Sequence, residues 1–130
     1  MNTKLDMIGI VVADMPRALA FYRELGLEFA AEADEQPHVE ATLPGGLRLG
    51  FDTIETVRSF GLEWSTPTGS SRIHLAFHCD TPEGVDAVYE RLIELGYPGT
   101  REPWDAFWGQ RYAAVADPDG NGVDLFAPLG

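Results

Sequence analysis

Aromatic side chains are concentrated in one short segment of the chain. Trp104, Phe107, Trp108 and Tyr112 fall within nine residues, just ahead of a turn-forming run at residues 117–122. Flat rings present faces on which planar molecules stack, and such a contact contributes up to about 1.5 kcal/mol beyond the area that it buries. The spacing therefore indicates a surface for a planar ligand. Ordinary core or interface packing is the alternative for the rings other than Trp108.

Histidine and carboxylate side chains supply the second group of candidates. His74 and His78 lie four residues apart in an apolar run, so both imidazoles are expected on one face of a strand. There they either bond a ligand or are satisfied by neighbouring backbone. His38 and Glu40 leave general acid–base chemistry open, although no acid and base stand at a defined spacing.

Nucleophilic catalysis and phosphate binding have no signature here. The four serines within residues 59–71 lack a glycine-flanked elbow, and no glycine-rich loop precedes a helix. Two carboxylate pairs fall in predicted turns, where we expect solvated charge: Asp34 with Glu35, and Asp117 with Asp119.

The charge balance narrows the choice of partners. Nine basic and twenty-one acidic residues give a net charge of −12, which repels nucleic acid and anionic lipid surfaces. This excess is explained by solubility, although it also permits a cationic ligand. The single cysteine, Cys79, cannot form an internal disulfide and is expected to be a small buried apolar side chain. Because no export signal or bilayer-spanning segment is present, we expect a cytoplasmic protein.

The pattern of the first half predicts one strand, one helix and three further strands. An apolar, β-branched run at residues 5–12 is followed by helical spacing from Pro16, which suits a first turn, to Gly26, which suits a stop. Three extended segments then follow, at residues 27–32, 38–43 and 47–51.

The second half repeats this order. A strand at residues 73–79 precedes a helix that Thr81 caps and Gly96 ends. Three extended segments follow again, at residues 97–102, 112–116 and 123–126.

The repeat predicts an α+β fold of two tandem βαβββ modules. We expect a single domain over residues 1–130, with modules at residues 1–52 and 72–130 and an irregular connector at 53–71. Trp64 lies in this connector, where it either covers a pocket or pins the connector itself. Long connectors are uncommon in compact domains and are often functional.

The duplicated module, opened by residues 5–14 and closed by residues 117–126, resembles the vicinal oxygen chelate superfamily. That superfamily includes glyoxalase I, extradiol dioxygenases, fosfomycin-modifying enzymes and bleomycin-binding resistance proteins. The resemblance covers essentially the whole chain. It implies a concave sheet with helices on its outer face, and a homodimer.

The resemblance also implies four metal-ligand positions, two in each module. The second module offers His74 and Asp124, whereas the first offers Met7 and a position within residues 48–52. There Leu47, Leu49 and Phe51 are expected to face the helix, with Arg48, Gly50 and Asp52 on the open face. A thioether or a guanidinium does not hold a hard divalent cation. We therefore expect no cofactor, with a metal-dependent lyase or dioxygenase using Zn, Ni, Mn or Fe as the alternative.

Within the superfamily, the runs at residues 30–34, 37–41, 45–49 and 108–112 most resemble the mitomycin-binding resistance proteins. Those proteins are dimers that sequester a drug by stacking its planar rings on aromatics. By resemblance the chain is expected to sequester a planar drug or metabolite, as an antibiotic resistance protein, with Trp108 as the stacking platform. Micromolar affinity requires about 8 kcal/mol, so several side chains must converge on the ligand. The predicted ligand-binding residues are Trp108, Phe107, Tyr112, His38, Glu40, Asp52, Trp64 and His74.

Overall fold

The chain folds as two α+β units, Met1–Thr68 and Gly69–Gly130, in a computed structural model that describes residues 1–130. The first unit contains a three-stranded sheet with the order β1-β3-β2, in which β1 runs parallel and β2 antiparallel to β3. Its elements are β1 (Met7–Val12), α1 (Met15–Glu24), a 3₁₀ helix (Ala31–Glu35), β2 (His38–Thr42), β3 (Arg48–Thr53) and α2 (Ile54–Ser59).

Local sequence explains where α1 begins and what it buries. The side chain of Asp14 caps the helix by accepting a hydrogen bond from the Arg17 backbone N–H at 3.1 Å. The apolar residues of α1 recur at helical spacing and are buried, and the Tyr22 ring lies 5.2 Å from that of Phe51 on β3. This packing fixes one face of the sheet against the helix and leaves the other face for polar side chains.

The segment at residues 27–32 was predicted as a strand, and that prediction is wrong. Residues 27–30 have no regular structure, and the 3₁₀ helix follows from Ala31. Its sequence is alanine and acidic residues without a β-branched side chain, a composition that strands disfavour. Asp34 in this helix is also not simply solvated, because it pairs with Arg23 at 2.9 Å.

The second unit contains a four-stranded sheet with the order β4-β7-β6-β5. Thr81 caps its long helix by accepting from the Gly84 N–H at 3.0 Å, as predicted. Val85 and Leu92 of that helix are fully buried. The elements are β4 (His74–His78), α3 (Pro82–Glu94), β5 (Gly99–Ala106), β6 (Gln110–Ala116) and β7 (Gly122–Pro128).

A tight hairpin joins β5 to β6. Both strands are longer than predicted, so that Ala106 pairs with Gln110 and only residues 107–109 form the loop. Gly109 has a φ of +94°, a conformation that glycine adopts without strain. The hairpin therefore carries Phe107 and Trp108 at its tip.

The turn between β6 and β7 is organised by a buried carboxylate. Asp117 is only 3% exposed, so the expectation that it is solvated is wrong. One of its oxygens accepts the backbone N–H groups of Asp119 and Asn121, both at 2.9 Å. The other accepts the Asn121 side-chain amide at 2.9 Å. These three hydrogen bonds satisfy the carboxyl group and explain its burial.

The segment predicted as an irregular connector contains one short helix, α2. The Thr53 side chain caps it by accepting from the Thr56 N–H at 3.2 Å. Six residues are too few to show a helical period in sequence. Residues 60–73 carry neither helix nor strand, and within them only Trp64 is half-buried. None of the three α-helices has the length and apolar composition to cross a membrane.

The single cysteine directly follows β4. Cys79 is half-buried, with its sulfur 3.6 Å from the Phe77 carbonyl oxygen. Burial raises the pKa of its thiol, and a hydrogen bond with the Phe126 backbone partly offsets this. Cys79 is thus a thiol within a largely apolar environment, less buried than the sequence predicts.

Candidate functional site

The open face of the first unit is lined by polar side chains from β2 and β3. His38 pairs with Asp52 across the two strands, and Glu40 pairs with Gly50. Paired residues project on the same side of a sheet, while Leu49 and Phe51 between them are buried. The expected division, with Arg48, Gly50 and Asp52 away from the helix, is therefore confirmed.

These side chains form a hydrogen-bonded series in which positive and negative groups alternate. The two ring nitrogens of His38 contact carboxylates, with Nδ1 at 2.5 Å from Asp52 and Nε2 at 2.7 Å from Glu40. Arg48 donates to the second oxygen of Glu40 at 2.7 Å and to Asp6 at 2.6 Å. Every charged group in this series lies between groups of opposite sign, apart from the two carboxylates at its ends.

The geometry favours the protonated form of His38. A neutral imidazole has a single N–H and would turn a lone pair toward one of the two carboxylates. The hydrogen bonds to Glu40 and then to Asp52 raise the pKa of His38, while His38 and then Arg48 lower the pKa of Glu40. Because the His38 side chain is 41% exposed, water screens much of this interaction. Chemically, His38 is a proton donor rather than a base in this state.

Met7 covers the middle of the same face. A Cβ built on Gly50 would lie only 2.8 Å from the Met7 sulfur. The thioether thus occupies the space where a residue other than glycine would carry its side chain.

The second unit has a different histidine–carboxylate group. Asp124 on β7 is 9% exposed. One of its oxygens lies 3.0 Å from Nδ1 of His74, and the other accepts a hydrogen bond from the Tyr112 hydroxyl. Bonding to Asp124 raises the pKa of His74. Burial, followed by the bond to Asp124, raises the pKa of Tyr112 to about 12.

The position of the His74 ring depends on a glycine. A Cβ on Gly122 would meet the ring at 2.7 Å, so the imidazole lies directly over this residue. Along β4 exposed and half-buried residues alternate, and both His74 and His78 are exposed. The His78 ring packs edge-on against Phe126, with the ring centroids 5.2 Å apart. Both histidines therefore lie on one strand face, as predicted. The Asp80 N–H donates to Nδ1 of His78 at 3.0 Å, so this nitrogen acts as an acceptor.

The four aromatic residues singled out in the sequence gather around Trp108. Its ring centroid lies 5.5 Å from that of Trp104, 4.9 Å from Phe107 and 5.3 Å from Tyr112, with interplanar angles of 78° to 89°. The Trp108 indole N–H donates to the Gln110 side chain at 2.8 Å. Trp108 is nevertheless 48% exposed and Phe107 is 90% exposed. The cluster is therefore fixed internally while presenting ring surface to solvent.

The aromatic and polar groups of the second unit are continuous. Tyr112 contacts Trp108 through its ring and Asp124 through its hydroxyl, and Asp124 contacts His74. Register along β4, β6 and β7 places Tyr112, Asp124 and His74 on one face of the sheet, and Trp108 contacts Tyr112 from the tip of the β5–β6 hairpin. We call Trp108, Tyr112, Asp124 and His74 the aromatic strip.

Comparison with known proteins places this geometry in a family. A sequence model of the Glyoxalase/Bleomycin resistance protein/Dioxygenase superfamily matches residues 4–125. The chain belongs to this superfamily.

Its relatives share the fold at low identity. A glyoxalase/bleomycin resistance protein/dioxygenase family enzyme from Burkholderia phytofirmans PsJN superposes with a TM-score of 0.82 at 22% identity, over 98% of this chain and 100% of that one. A glyoxalase-related enzyme from Fulvimarina pelagi gives 0.79 at 21% identity, over 98% and 92%. An uncharacterized protein of Mycobacterium bovis is 29% identical over 125 residues, covering 92% of this chain and 80% of its own length. At these identities the solved structures show the fold, while sequestration and catalysis both stay open.

Strand register tests whether the residues fit the metal that the superfamily's enzymes suggest. Met7 pairs with Arg48 as His74 pairs with Gly122. Asp124 lies two residues after Gly122 on β7, and Gly50 lies two residues after Arg48 on β3. Gly50 is therefore the counterpart of Asp124. At these two positions the first unit has the thioether of Met7 and, at Gly50, no side chain. It therefore provides no ligand for a hard cation.

The side chains that surround these positions are also committed to one another. Both oxygens of Asp124 and one nitrogen of His74 are already hydrogen-bonded, and no three His, Cys, Asp or Glu side chains are arranged to hold a metal ion. The donor set does not fit a divalent cation.

The predicted ligand-binding residues fall into separate groups in this superfamily member. Trp108, Phe107, Tyr112 and His74 belong to the second unit and lie in or against the aromatic strip. His38, Glu40 and Asp52 bond one another in the first unit. Trp64 belongs to neither group, and its indole N–H is buried without a hydrogen-bond partner.

Sequence reasoning missed several residues that organise these groups. Asp6 ends the charge series, Gln110 orients Trp108, and Gly122 makes room for His74, while Arg48 was expected on this face but not as a partner of Glu40. A signal existed only for Gln110, which lies within the aromatic segment. The others are recognisable only once strand register is known, because their partners are distant in sequence.

Proposed function

We propose that this chain is a metal-independent binding protein of the bleomycin and mitomycin resistance type, which sequesters a planar aromatic drug or metabolite. The observation that carries the proposal is the aromatic strip. It joins a half-exposed, hydrogen-bonded indole at the hairpin tip to a buried carboxylate and an exposed imidazole on the sheet.

Preorganisation makes this strip a suitable platform. Edge-on contacts with three rings and the bond to Gln110 hold Trp108 in place, so little side-chain entropy is lost when a ligand stacks on it. Phe107 adds exposed apolar surface beside it. Each ring contributes up to about 1.5 kcal/mol beyond its buried area, and His74 offers a hydrogen bond to a polar group of the ligand.

The proposal includes a homodimer, which supplies two copies of every group. His38, Glu40, Asp52 and Trp64 are proposed to add polar contacts and cover to the ligand in that assembly. The net charge of −12 supports a small-molecule partner over nucleic acid or an anionic membrane surface. Light scattering is expected to give about twice the chain mass of 14.3 kDa.

Fluorescence titration tests the binding proposal. In a Trp64→Phe background, which leaves Trp104 and Trp108 as the emitters, we expect 1,4-naphthoquinone, mitomycin or bleomycin to quench emission with saturation. Replacing Trp108 by Ala is expected to weaken binding about tenfold or more, since a buried aromatic contact and its stacking are lost together. Absence of quenching at high micromolar ligand, in protein that circular dichroism shows to be folded, would contradict the proposal.

The alternative is a divalent-metal lyase or dioxygenase of the glyoxalase class. It rests on His74 and Asp124, the two residues at superfamily ligand positions that have suitable donors, and it requires a metal to replace the bond between them. It predicts close to one equivalent of Zn, Ni, Mn or Fe per chain, lost on His74→Ala. Elemental analysis of protein purified without chelator decides between the two hypotheses.

A further inference from the structure

Arg101 is an arginine without a carboxylate partner. Arg48 pairs with two carboxylates and Arg111 with Asp86 and Asp105. The guanidinium carbon of Arg101 instead lies 4.4 Å from the centroid of the Trp104 ring, and the side chain has no hydrogen-bond or ion-pair partner. Its contact with the indole is therefore what holds this cation.

The distance is that of a cation–π interaction. A guanidinium within about 6 Å of an aromatic centroid is attracted by the negative face of the ring, and tryptophan gives the strongest attraction. Trp104 also has its indole N–H buried without a partner. The polar edge of this half-buried ring is therefore not available to bond a ligand.

Trp104 is one wall of the ring cluster described above. Its centroid lies 5.5 Å from Trp108 and 6.4 Å from Phe107, with interplanar angles of 89° and 61°. Arg101 lies on β5 opposite Ala114, within the same unit as these rings. The chain's own cation therefore rests on the ring that adjoins the half-exposed Trp108.

We infer that the face of Trp104 is a cation-binding surface which Arg101 occupies in the free protein, and that the ligand is an aromatic compound bearing a guanidinium or alkylated ammonium group that displaces Arg101. This deepens the proposed function and rests on it. The rings stack the planar part of the ligand, while its charged group takes the position of the arginine.

Long-range electrostatics support the same ligand class. The excess of acidic residues gives a potential that concentrates small cations near the surface. A neutral group in this position would lack the cation–π attraction that Arg101 has with the ring. Arg101 thus competes with the charged group of the ligand for the face of Trp104, and removing it should strengthen the binding of cationic ligands.

A matched pair of probes tests the inference. Benzylguanidinium and benzylurea have nearly the same shape, but only the first is charged. In wild-type protein we expect benzylguanidinium to bind about two- to fivefold more tightly, the effect of one solvent-exposed cation–π contact. Tryptophan fluorescence and isothermal titration calorimetry give both dissociation constants.

Variants of Arg101 separate competition from simple charge. Arg101→Gln is expected to tighten benzylguanidinium by a further two- to fivefold and to leave benzylurea unchanged, whereas Arg101→Lys behaves like wild type. Arg17→Gln is the control, because Arg17 is exposed on α1 and its loss changes net charge equally.

The outcomes distinguish this inference from the proposed function. Equal affinity for the two probes, weaker binding in Arg101→Gln, or an equal gain in Arg17→Gln would each overturn the role of Arg101. The binding function would still stand if 1,4-naphthoquinone quenched Trp108. If no probe quenched any tryptophan of the folded protein, both would fail.

Discussion

The two units each place a histidine beside a carboxylate on an open sheet face, but the surroundings differ. His38 in the first unit contacts carboxylates through both ring nitrogens, and Arg48 extends the series of charges. His74 in the second unit contacts only Asp124, whose other oxygen is bonded to Tyr112. One face consists of mutually neutralised surface charges, and the other joins a single buried carboxylate to aromatic rings.

Register shows how the same framework yields both faces. Glu40 pairs with Gly50 as Ala114 pairs with Asp124, and His38 occupies the place that Tyr112 has in the second unit. The carboxylate therefore lies on β2 in the first unit, as Glu40, and on β7 in the second unit, as Asp124. In the first unit it lies toward the sheet edge and in water, whereas in the second it lies on a central strand under a phenol. The comparison teaches that one framework can carry either an exposed series of paired charges or a single buried carboxylate beside aromatic rings.

The largest expected effect separates the two carboxylates. Asp124→Ala removes a buried carboxylate that bonds both the half-buried Tyr112 hydroxyl and the His74 ring, and we expect it to lower the free energy of unfolding by about 2 kcal/mol. Asp52→Ala, whose partner His38 remains open to water, is expected to cost less than about 1 kcal/mol. Urea denaturation measures both. An Asp52 variant as destabilised as the Asp124 variant would contradict the distinction.

Glycine substitutions sharpen the comparison at the covering side chains. Gly122→Ala pushes a methyl group against the His74 ring, and we expect a loss of about 1–2 kcal/mol. Gly50→Ala meets the flexible end of Met7 and is expected to lose less than about 1 kcal/mol. Gly9→Ala, where nothing lies within 4 Å, is the control and should cost least. The order of the three midpoints in urea decides the matter.

The pH dependence of stability is expected to be steeper for the first histidine. Because folding raises the pKa of His38 above its usual 6.5, its stabilisation is complete below pH 6.5 and is lost as pH rises through the folded-state pKa. The difference in unfolding free energy between wild type and His38→Gln should therefore shrink from about pH 6 to about pH 9. His74→Gln should show the same sign and a smaller amplitude, since one carboxylate acts instead of two. A difference that grew with pH would rule out this account.

The smallest effect is spectroscopic and concerns Tyr112. Ultraviolet difference titration is expected to show one of the four tyrosines ionising at a pKa of about 12, and Tyr112→Phe should remove that step. In Asp124→Asn the pKa of Tyr112 should fall only part of the way toward 10, because burial, the larger cause, persists. A Tyr112 step unchanged in this variant would show that the hydrogen bond has no influence.

Much of the fold followed from the sequence because its signals are local. Asp14, Thr81 and the prolines of the first turns mark where α1 and α3 begin, and alternating apolar residues mark the strands. The strand predicted at residues 27–32 is wrong because a short, partly apolar segment is not specific to strands. The helix α2 was not predicted because it is too short to show a helical period. The α+β class is confirmed.

The site followed only in part. The aromatic segment could be recognised because its four rings are close in sequence, and they do gather around Trp108. Pairs such as Met7 with Gly50 depend on register between distant strands, and a shift of one residue would send each side chain to the other face. No pattern within a single segment carries that information.

The buried turn at Asp117 also affects the chemical stability of Asn121. An asparagine followed by glycine, as in Asn121–Gly122, is prone to lose its amide, since the next nitrogen can attack the side chain. Here that amide is tied to Asp117, and Gly122 already belongs to β7. Deamidation would set two carboxylates against each other beside the glycine that underlies His74. Deamidation of Asn121 should therefore loosen the position of the His74 ring before it unfolds the sheet.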